Sequence, residues 1–187
     1  MKLSKEFYRR SGLIVARELI GKKLVHITEE GTTAGIIIET EAYMGATDAA
    51  AHSYKNRRTK RTEAMFNDGG HAYIYLIYGI YMCMNVVANV KDVPEAVLIR
   101  ALQPTDGIEI MKHRRNKQSI KDLCSGPGKL TQAMNINMSH YNMDLCGDEL
   151  FIETTDLNLN IETTKRINID YAGEAANYPW RFIAAPY

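Results

Sequence analysis

The stretch HAYIYLIYGIYMCMNVVANV, residues 71–90, indicates the fold more strongly than any other part of the sequence. Two runs of apolar, β-favouring residues flank the pair Tyr78-Gly79, and glycine supplies the positive φ that a tight turn needs. The pattern predicts a β-hairpin with Tyr78 at or next to its tip. Because side chains alternate between the faces of a strand, Tyr73 and Tyr75 share one face and Tyr78 belongs to the opposite one, until the turn breaks the register.

A large aromatic residue at a hairpin tip has two explanations, and the shape of the hairpin alone leaves both open. The first is that the hairpin belongs to the core and Tyr78 packs under a neighbouring loop. The second is that Tyr78 projects from the protein, as an aromatic side chain does when it wedges between stacked bases.

The residues before the hairpin predict two more strands and a helix. KKLVHITEE (22–30) and TAGIIIETEAY (33–43) are strand-like runs joined by a turn around Glu30-Gly31. Residues 4–20 predict a helix that begins after Ser4 as the N-cap and ends at Gly21.

The remaining segments complete an α+β pattern. Residues 47–66 predict loop and short helix, Thr105 is expected to cap a helix over 106–116, and SGPGKLTQAMNI predicts a turn that enters another short helix. Short strands are predicted near 149–153, 163–169 and 180–184. Since helices and strands do not alternate regularly, we expect a single domain over 1–187, with a mostly antiparallel curved sheet, flanking helices and a protruding hairpin.

Composition limits the class of protein. The 187 residues are 45% hydrophobic and 24% charged, and no run approaches the roughly 18–20 apolar residues that cross a bilayer. The segment MKLSKEFYRRSG is basic but lacks the apolar middle of a signal peptide. Cys83, Cys124 and Cys146 are odd in number and widely spaced, which argues against a disulfide framework or a zinc site. We therefore expect a cytoplasmic protein without a membrane partner.

Charge is unevenly distributed, although the formal net charge is only +1. The run YKNRRTKR contains no acid, and its basic residues are Lys55, Arg57, Arg58, Lys60 and Arg61. A second basic run is MKHRRNKQSIK, residues 111–121. Each run is either a solvated surface patch or part of a face that binds nucleic acid.

Two carboxylates, Glu39 and Glu41, follow the apolar run at residues 36–38. On a strand both point to the same face, partly desolvated, which adjusts the proton affinity of a general base. The residues allow a metal site that adds Asp48, His52 and His71, a glycosidase pair, or one carboxylate that activates water. They also allow simple ion pairs at a sheet edge. SGPGKLT lacks the spacing of a phosphate-binding loop.

Four segments occur together in the order and spacing of one family: IETEAYMGATDAAAHS, HAYIYLIYGIYMCMN, VLIRALQP and LCSGPGKLTQAM. Through them the chain resembles the alkyladenine (3-methyladenine) DNA glycosylases of the methylpurine-DNA glycosylase type, over about residues 4–184. The resemblance implies a monofunctional base-excision repair enzyme. Such an enzyme flips a damaged purine out of duplex DNA and hydrolyses its N-glycosidic bond, and it uses no cofactor, no metal and no lysine Schiff base.

The resemblance also implies roles for individual residues. Glu41 becomes the general base, Glu39 supports it, and Arg100 helps to hold the catalytic water. The residues that enclose the flipped base are Tyr43, His52, Tyr75 and Asn85, of which Asn85 crowds out the exocyclic amine of guanine.

Tyr78 becomes the residue that fills the gap in the duplex, and the loop 55–61 binds the DNA backbone. The implied partner is double-stranded DNA that contains 3-methyladenine, 7-methylguanine or hypoxanthine, and we expect a monomer. One departure is Gln103, which stands where the family usually has an acid. A lesion-binding module without hydrolysis and a small-molecule transferase stay as alternatives.

Overall fold

The computed structural model describes residues 1–185, and its strands form one curved antiparallel sheet. The eight strands of this described part are β1 Lys23–Thr28, β2 Gly31–Tyr43, β3 Ala72–Ile77, β4 Tyr81–Ala88, β5 Glu95–Asp106, β6 Leu150–Glu153, β7 Ile161–Thr164 and β8 Arg181–Ala184. The strand order is β3-β4-β5-β2-β1-β6, and β8 pairs with both β2 and β7. The predicted α+β class and antiparallel sheet are confirmed.

Helices are few and short. The α-helices are α1 Lys5–Tyr8, α2 Gly12–Leu19, α3 Ile108–Arg115 and α4 Pro127–Met134. The 3-10 helices are Gly45–Thr47, Tyr54–Asn56, Glu63–Phe66, Ile120–Asp122, Met138–His140 and Asp170–Asn177. Within residues 1–185, no helix has the length and apolar character to cross a membrane.

The sheet curves around β2, because two different strands share one of its edges. β5 follows the other edge from Ala34 to Tyr43, with register shifts on both sides of Glu39. On the shared edge β1 pairs as far as Ile36, and β8 takes over at Glu39 to Glu41. The two carboxylates therefore lie where the strand paired with β2 changes from β1 to β8 and the sheet bends.

Alternation along the strands separates two faces. One face packs on α2 and α4, and its core residues include Ile74, Met84, Val97 and Ile99. The residues between them, such as Tyr73, Asn85 and Leu98, face the opposite side and line a cavity. The period of two thus sends apolar residues to the core and chemically functional residues to the cavity.

The predicted helix over 4–20 is wrong as one continuous element. The chain turns at residues 9–11, where the carbonyl oxygens of Tyr8 and Arg10 both accept the Asn89 amide N–H at 2.9 Å. These tertiary hydrogen bonds replace the ones that a continuous helix would make. Ser4 does occupy the N-cap position of α1, although its hydroxyl makes no capping bond to the backbone.

Two boundaries near the ends of strands also differ from the prediction. Thr105 does not cap a helix, because β5 continues to Asp106 and Gly107 is the N-cap of α3, with φ +65°. Glycine adopts this left-handed conformation without steric cost. The strand predicted over 163–169 is Ile161–Thr164, because Arg166 leaves the sheet for a buried ion pair with Asp48.

Candidate active site

A cavity of about 420 Å³ lies on the face of the sheet opposite the helices. Four strands each send alternate side chains into it, among them Tyr43 of β2, Tyr75 of β3, Asn85 of β4 and Arg100 of β5. Segments 50–65 and 167–171 and the first two residues of α4, Pro127 and Gly128, provide the remaining walls. The cavity therefore gathers residues that are far apart in the sequence, and it has the size of a small-molecule or nucleobase site.

Glu41 lies fully buried immediately behind this cavity. Its Oε1 accepts the Ile167 amide N–H at 2.7 Å, and its Oε2 accepts the Tyr43 hydroxyl at 2.9 Å and Arg100 Nη1 at 3.3 Å. An ionised carboxylate has about four acceptor positions. The three donors therefore leave one acceptor position of the carboxylate without a partner among these contacts.

The pKa of Glu41 reflects opposing influences. Burial raises the pKa of the carboxyl above its ordinary value, while the Arg100 charge and the hydrogen bonds from Ile167 and Tyr43 act in the opposite direction. Burial has the larger effect, because a carboxylate removed from water loses most of its solvation. A raised pKa is the property that a general base needs to accept a proton near neutral pH.

Arg100 is held by both predicted carboxylates. Its Nε donates to Glu39 Oε1 at 2.8 Å while its Nη1 reaches Glu41, so the two glutamates share a face as predicted. Arg181 Nε donates to the same Glu39 oxygen at 2.7 Å. The guanidinium of Arg100 is therefore oriented by Glu39 and Glu41, and these contacts do not require an acid at position 103.

Aromatic rings form the wall of the cavity next to Glu41. The His52 and Tyr75 rings meet edge to face at 4.7 Å, and His52 Nδ1 lies 2.8 Å from the Tyr73 hydroxyl. Burial, followed by the charges of Arg61 and Arg57, lowers the pKa of His52 to about 4. His52 is therefore neutral at physiological pH, and burial keeps Tyr43 protonated by raising its pKa. The rings are therefore uncharged, and guanidinium groups lie over two of them, Arg61 over Tyr75 at 5.1 Å and Arg166 over Tyr43 at 4.8 Å.

Asn85 is the polar residue in the floor of the cavity. Its side chain is buried, and its Nδ2 donates to the Tyr73 carbonyl oxygen at 3.1 Å. This hydrogen bond fixes the plane of the amide on β4. A ligand that enters the cavity meets a rigid amide here, which is a suitable position for selection by shape and hydrogen bonding.

Tyr78 is at the tip of the β3–β4 hairpin, as predicted. Ile77 pairs with Tyr81, so the loop is residues 78–80, and Tyr78 is 78% exposed with φ +53°. Tyr78 lies at the rim of the cavity. Strand alternation alone would have placed it on the other face of the sheet, but the positive φ breaks that alternation. The explanation that Tyr78 packs under a loop is wrong, because its ring stands in solvent.

The predicted DNA-backbone residues lie together on an exposed loop, but they are not equivalent. Lys55, Arg57 and Lys60 are exposed, and Arg57 lines a second cavity that adjoins the first. Arg58 is also exposed, but it forms ion pairs with two acids of the protein, with Nη2 at 2.6 Å from Glu63 and Nη1 at 3.1 Å from Asp92. Arg61 lines the main cavity, and its guanidinium carbon lies 5.1 Å from the Tyr75 ring centre.

Several contributors to the site were not found from the sequence. Asn168 and Tyr171 line the cavity, and a fully buried ion pair between Arg166 and Asp48 fixes their segment to the chain after β2. Arg166 also donates to the carbonyl oxygens of Ala42 and Ala175. The basic residue before the apolar pair Ile167 and Ile169 was the only sequence signal for this contact.

The metal site considered around the glutamates is not formed. Glu39 and Glu41 bind arginines, Asp48 binds Arg166, and His52 contacts Tyr73. The donors thus have other partners, and among residues 1–185 they do not converge on one point.

Comparison with known proteins agrees with this geometry. The family model described as methylpurine-DNA glycosylase matches residues 6–186. A protein of Alkaliphilus oremlandii is 51% identical over 191 residues, covering 97% of this chain and 95% of its own length. Relatives from Clostridium acetobutylicum and Desulfitobacterium hafniense are 50% and 47% identical, each covering 97% of this chain and 93% and 94% of their own lengths. All three carry the provisional name 3-methyladenine DNA glycosylase. The chain belongs to the methylpurine-DNA glycosylase family, whose members are hydrolases that act on N-glycosyl bonds of DNA.

Proposed function

We propose that the protein flips an alkylated or deaminated purine nucleotide out of duplex DNA and hydrolyses its N-glycosidic bond with water activated by Glu41, leaving an abasic site. The observation that carries the proposal is the buried Glu41 carboxylate, bound to Arg100 behind an aromatic cavity whose rim bears the exposed Tyr78. A pocket with stacking side chains can receive a flipped nucleobase, and an aromatic side chain at its rim can take the place of that nucleobase in the duplex.

The proposed chemistry needs one base and one water molecule. The water occupies the remaining acceptor position of Glu41, and Arg100 fixes the carboxylate in place. As the water attacks the sugar carbon, its proton passes to Glu41. The electron pair of the N-glycosidic bond leaves with the purine and neutralises the positive charge of an alkylated base. The raised pKa of Glu41 favours this transfer, and the burial that raises it also limits the access of other water molecules.

The cavity favours purines that already carry a positive charge. Such a base leaves without being protonated, and it is attracted to the faces of neutral aromatic rings. Tyr43 and Tyr75 have pKa values raised by burial, and His52 is neutral, so these groups are poor acids. We therefore propose 3-methyladenine and 7-methylguanine as better substrates than hypoxanthine. The provisional name of the relatives agrees with the first of these.

DNA is proposed to lie across the hairpin tip and the basic loop. Tyr78 would fill the stack that the flipped base leaves, and Lys55, Arg57 and Lys60 would contact phosphates. Arg61 now covers Tyr75, and we propose that it moves to a phosphate when the base enters. Because one chain supplies the wedge, the pocket and the carboxylates, we propose that the protein acts as a monomer.

The direct test is base release from duplexes that each contain one 7-methylguanine, one hypoxanthine or no lesion, together with methylated duplex DNA as the source of 3-methyladenine. We expect free base and an alkali-labile abasic strand from the methylated purines, with slower release of hypoxanthine. Borohydride should trap no covalent complex. Tight lesion binding without release would instead indicate a binding module, and turnover of free nucleosides without duplex DNA would indicate a small-molecule enzyme.

A further inference from the structure

His26, His140 and Glu149 form a cluster at the edge of the sheet, apart from the cavity. His26 lies on β1, Glu149 immediately precedes β6, and His140 ends the 3-10 helix Met138–His140. The two Nε2 atoms are 3.2 Å apart, and Glu149 Oε1 lies 3.9 Å from that of His26 and 3.5 Å from that of His140. Within residues 1–185 these are the three side chains that bring ligand atoms to a common point.

The distances suit an ion at the centre of this triangle. A single point lies about 2.1 Å from all three donor atoms, since that is the circumradius of a triangle with these sides. Zinc binds histidine nitrogen and carboxylate oxygen at about 2.0–2.2 Å. A hydrogen bond between the two histidines alone would not require Glu149 Oε1 to lie near both Nε2 atoms.

Both rings are oriented by hydrogen bonds on their other nitrogen, as metal-binding histidines usually are. His26 Nδ1 lies 2.5 Å from the Met134 carbonyl oxygen, which makes Nδ1 the protonated atom and leaves a lone pair on Nε2. His140 Nδ1 accepts the Asn137 amide N–H at 3.1 Å, and it also lies 3.2 Å from the Asn137 carbonyl oxygen, to which it can donate in the other tautomer. His140 can therefore present either a lone pair or a proton at Nε2 without moving its ring.

We propose that His26, His140 and Glu149 bind a divalent transition metal of the zinc class. The histidines are buried, whereas the Glu149 side chain is 58% exposed, so a fourth position is open to water. None of the three residues lines the cavity, which gives the metal a structural role separate from glycosidic hydrolysis. It would fasten the segment 137–149 to β1. Nearby Arg114 is paired with Glu30 at 3.1 Å, which reduces its repulsion of a cation.

The test uses the full chain, stripped of metal with a chelator and then titrated with Zn²⁺ or Co²⁺. We expect one equivalent of either ion to bind, to raise the melting temperature, and for Co²⁺ to give the visible absorption of a four-coordinate site. Glu149→Gln and His140→Gln should lower the affinity by at least about tenfold. His113→Gln, which changes an exposed histidine on α3, is the matched control and should behave as wild type.

Glu149→Gln keeps the test decisive if the histidine variant fails to fold, because Glu149 is on the surface. Affinities that are the same in Glu149→Gln and wild type would overturn the proposal. So would the absence of stoichiometric binding, which would leave only a hydrogen bond between the two imidazoles. Thiolate-to-cobalt absorption would assign the metal to a cysteine and would also overturn it.

Discussion

Glu41 combines a position that sequence periodicity could indicate with an environment that it could not. Its place at the end of an apolar strand, two residues from Glu39, indicated a desolvated carboxylate. The Ile167 amide and Arg100, which bind it, come from 126 and 59 residues away. Such contacts depend on how the sheet bends. The local pattern therefore predicted a desolvated carboxylate at this place, the resemblance singled out Glu41, and only the structure defines its hydrogen bonds.

The raised pKa of Glu41 leads to a prediction for the pH dependence of excision. The base must be ionised, so single-turnover release of 7-methylguanine should rise with pH through a pKa above the ordinary glutamate value of about 4.3. The rate should be lost as pH falls through that raised pKa. Rates measured from pH 4 to 8, after subtraction of uncatalysed depurination, show this rising limb of the pH–rate profile.

His52 is the control for this assignment, because burial lowers the pKa of His52 whereas it raises the pKa of Glu41. His52→Asn should lower the rate without moving the limb. A limb that disappears in His52→Asn, or that lies at the ordinary glutamate value, would contradict the role of Glu41.

At the level of elements, the hairpin is the part that the sequence predicted best. Its alternating strands and the Tyr78-Gly79 turn were both correct. The predicted helix over 4–20 is interrupted because the amide N–H of Asn89, just after β4, donates to the carbonyl oxygens of Tyr8 and Arg10. The cap at Thr105 failed because pairing with β2 extends β5 to Asp106. In both cases a distant strand outweighed a local preference.

The hairpin tip gives a prediction that separates stability from DNA capture. Tyr78→Gly removes a non-glycine residue from positive φ, which costs about 1–3 kcal/mol, so the melting temperature should stay the same or rise. Aromatic–base stacking contributes about 1–3 kcal/mol, so affinity for a lesion duplex should fall roughly 10- to 100-fold. Ile27→Ala, an exposed apolar change on β1, should alter neither. Unchanged affinity of Tyr78→Gly for the lesion duplex would contradict the insertion of Tyr78 into the base stack.

The buried pair of Arg166 and Asp48 holds the segment that carries Ile167 and Asn168 against the site. Asp48→Asn leaves a buried, uncompensated guanidinium and should destabilise the protein by about 3–5 kcal/mol in denaturant unfolding. Asp92→Asn breaks an exposed aspartate–arginine pair and should cost at most about 1 kcal/mol. Similar losses in the two variants would show that the buried pair does not anchor this segment.

For the whole molecule, charge distribution matters more than the net charge of +1. The sequence predicted the basic loop, but it could not show which of its basic side chains form ion pairs with acids of the same chain. Glu63, just beyond the acid-free run, and the distant Asp92 both bind Arg58. Arg57 and Lys60 are exposed on the same loop near the cavity.

This difference predicts unequal effects on DNA binding. Arg57→Gln should weaken binding to all duplex sequences and lower the slope of log affinity against log salt by about one, the amount for one phosphate contact. Arg58→Gln should change the slope less, because Glu63 and Asp92 already neutralise Arg58. Titrations of labelled duplex at several salt concentrations compare the two. A larger change in Arg58→Gln would reverse the assignment of the loop.

The central claim is that Glu41 activates the water that breaks the glycosidic bond. Its most direct test is single-turnover excision of 7-methylguanine from a duplex by wild type, Glu41→Gln and the surface control Glu162→Gln, with lesion binding measured in parallel. The account predicts that Glu41→Gln loses excision by about 10²–10⁴-fold while it still binds the lesion, and that Glu162→Gln matches wild type. Excision by Glu41→Gln at a rate near that of wild type would contradict it.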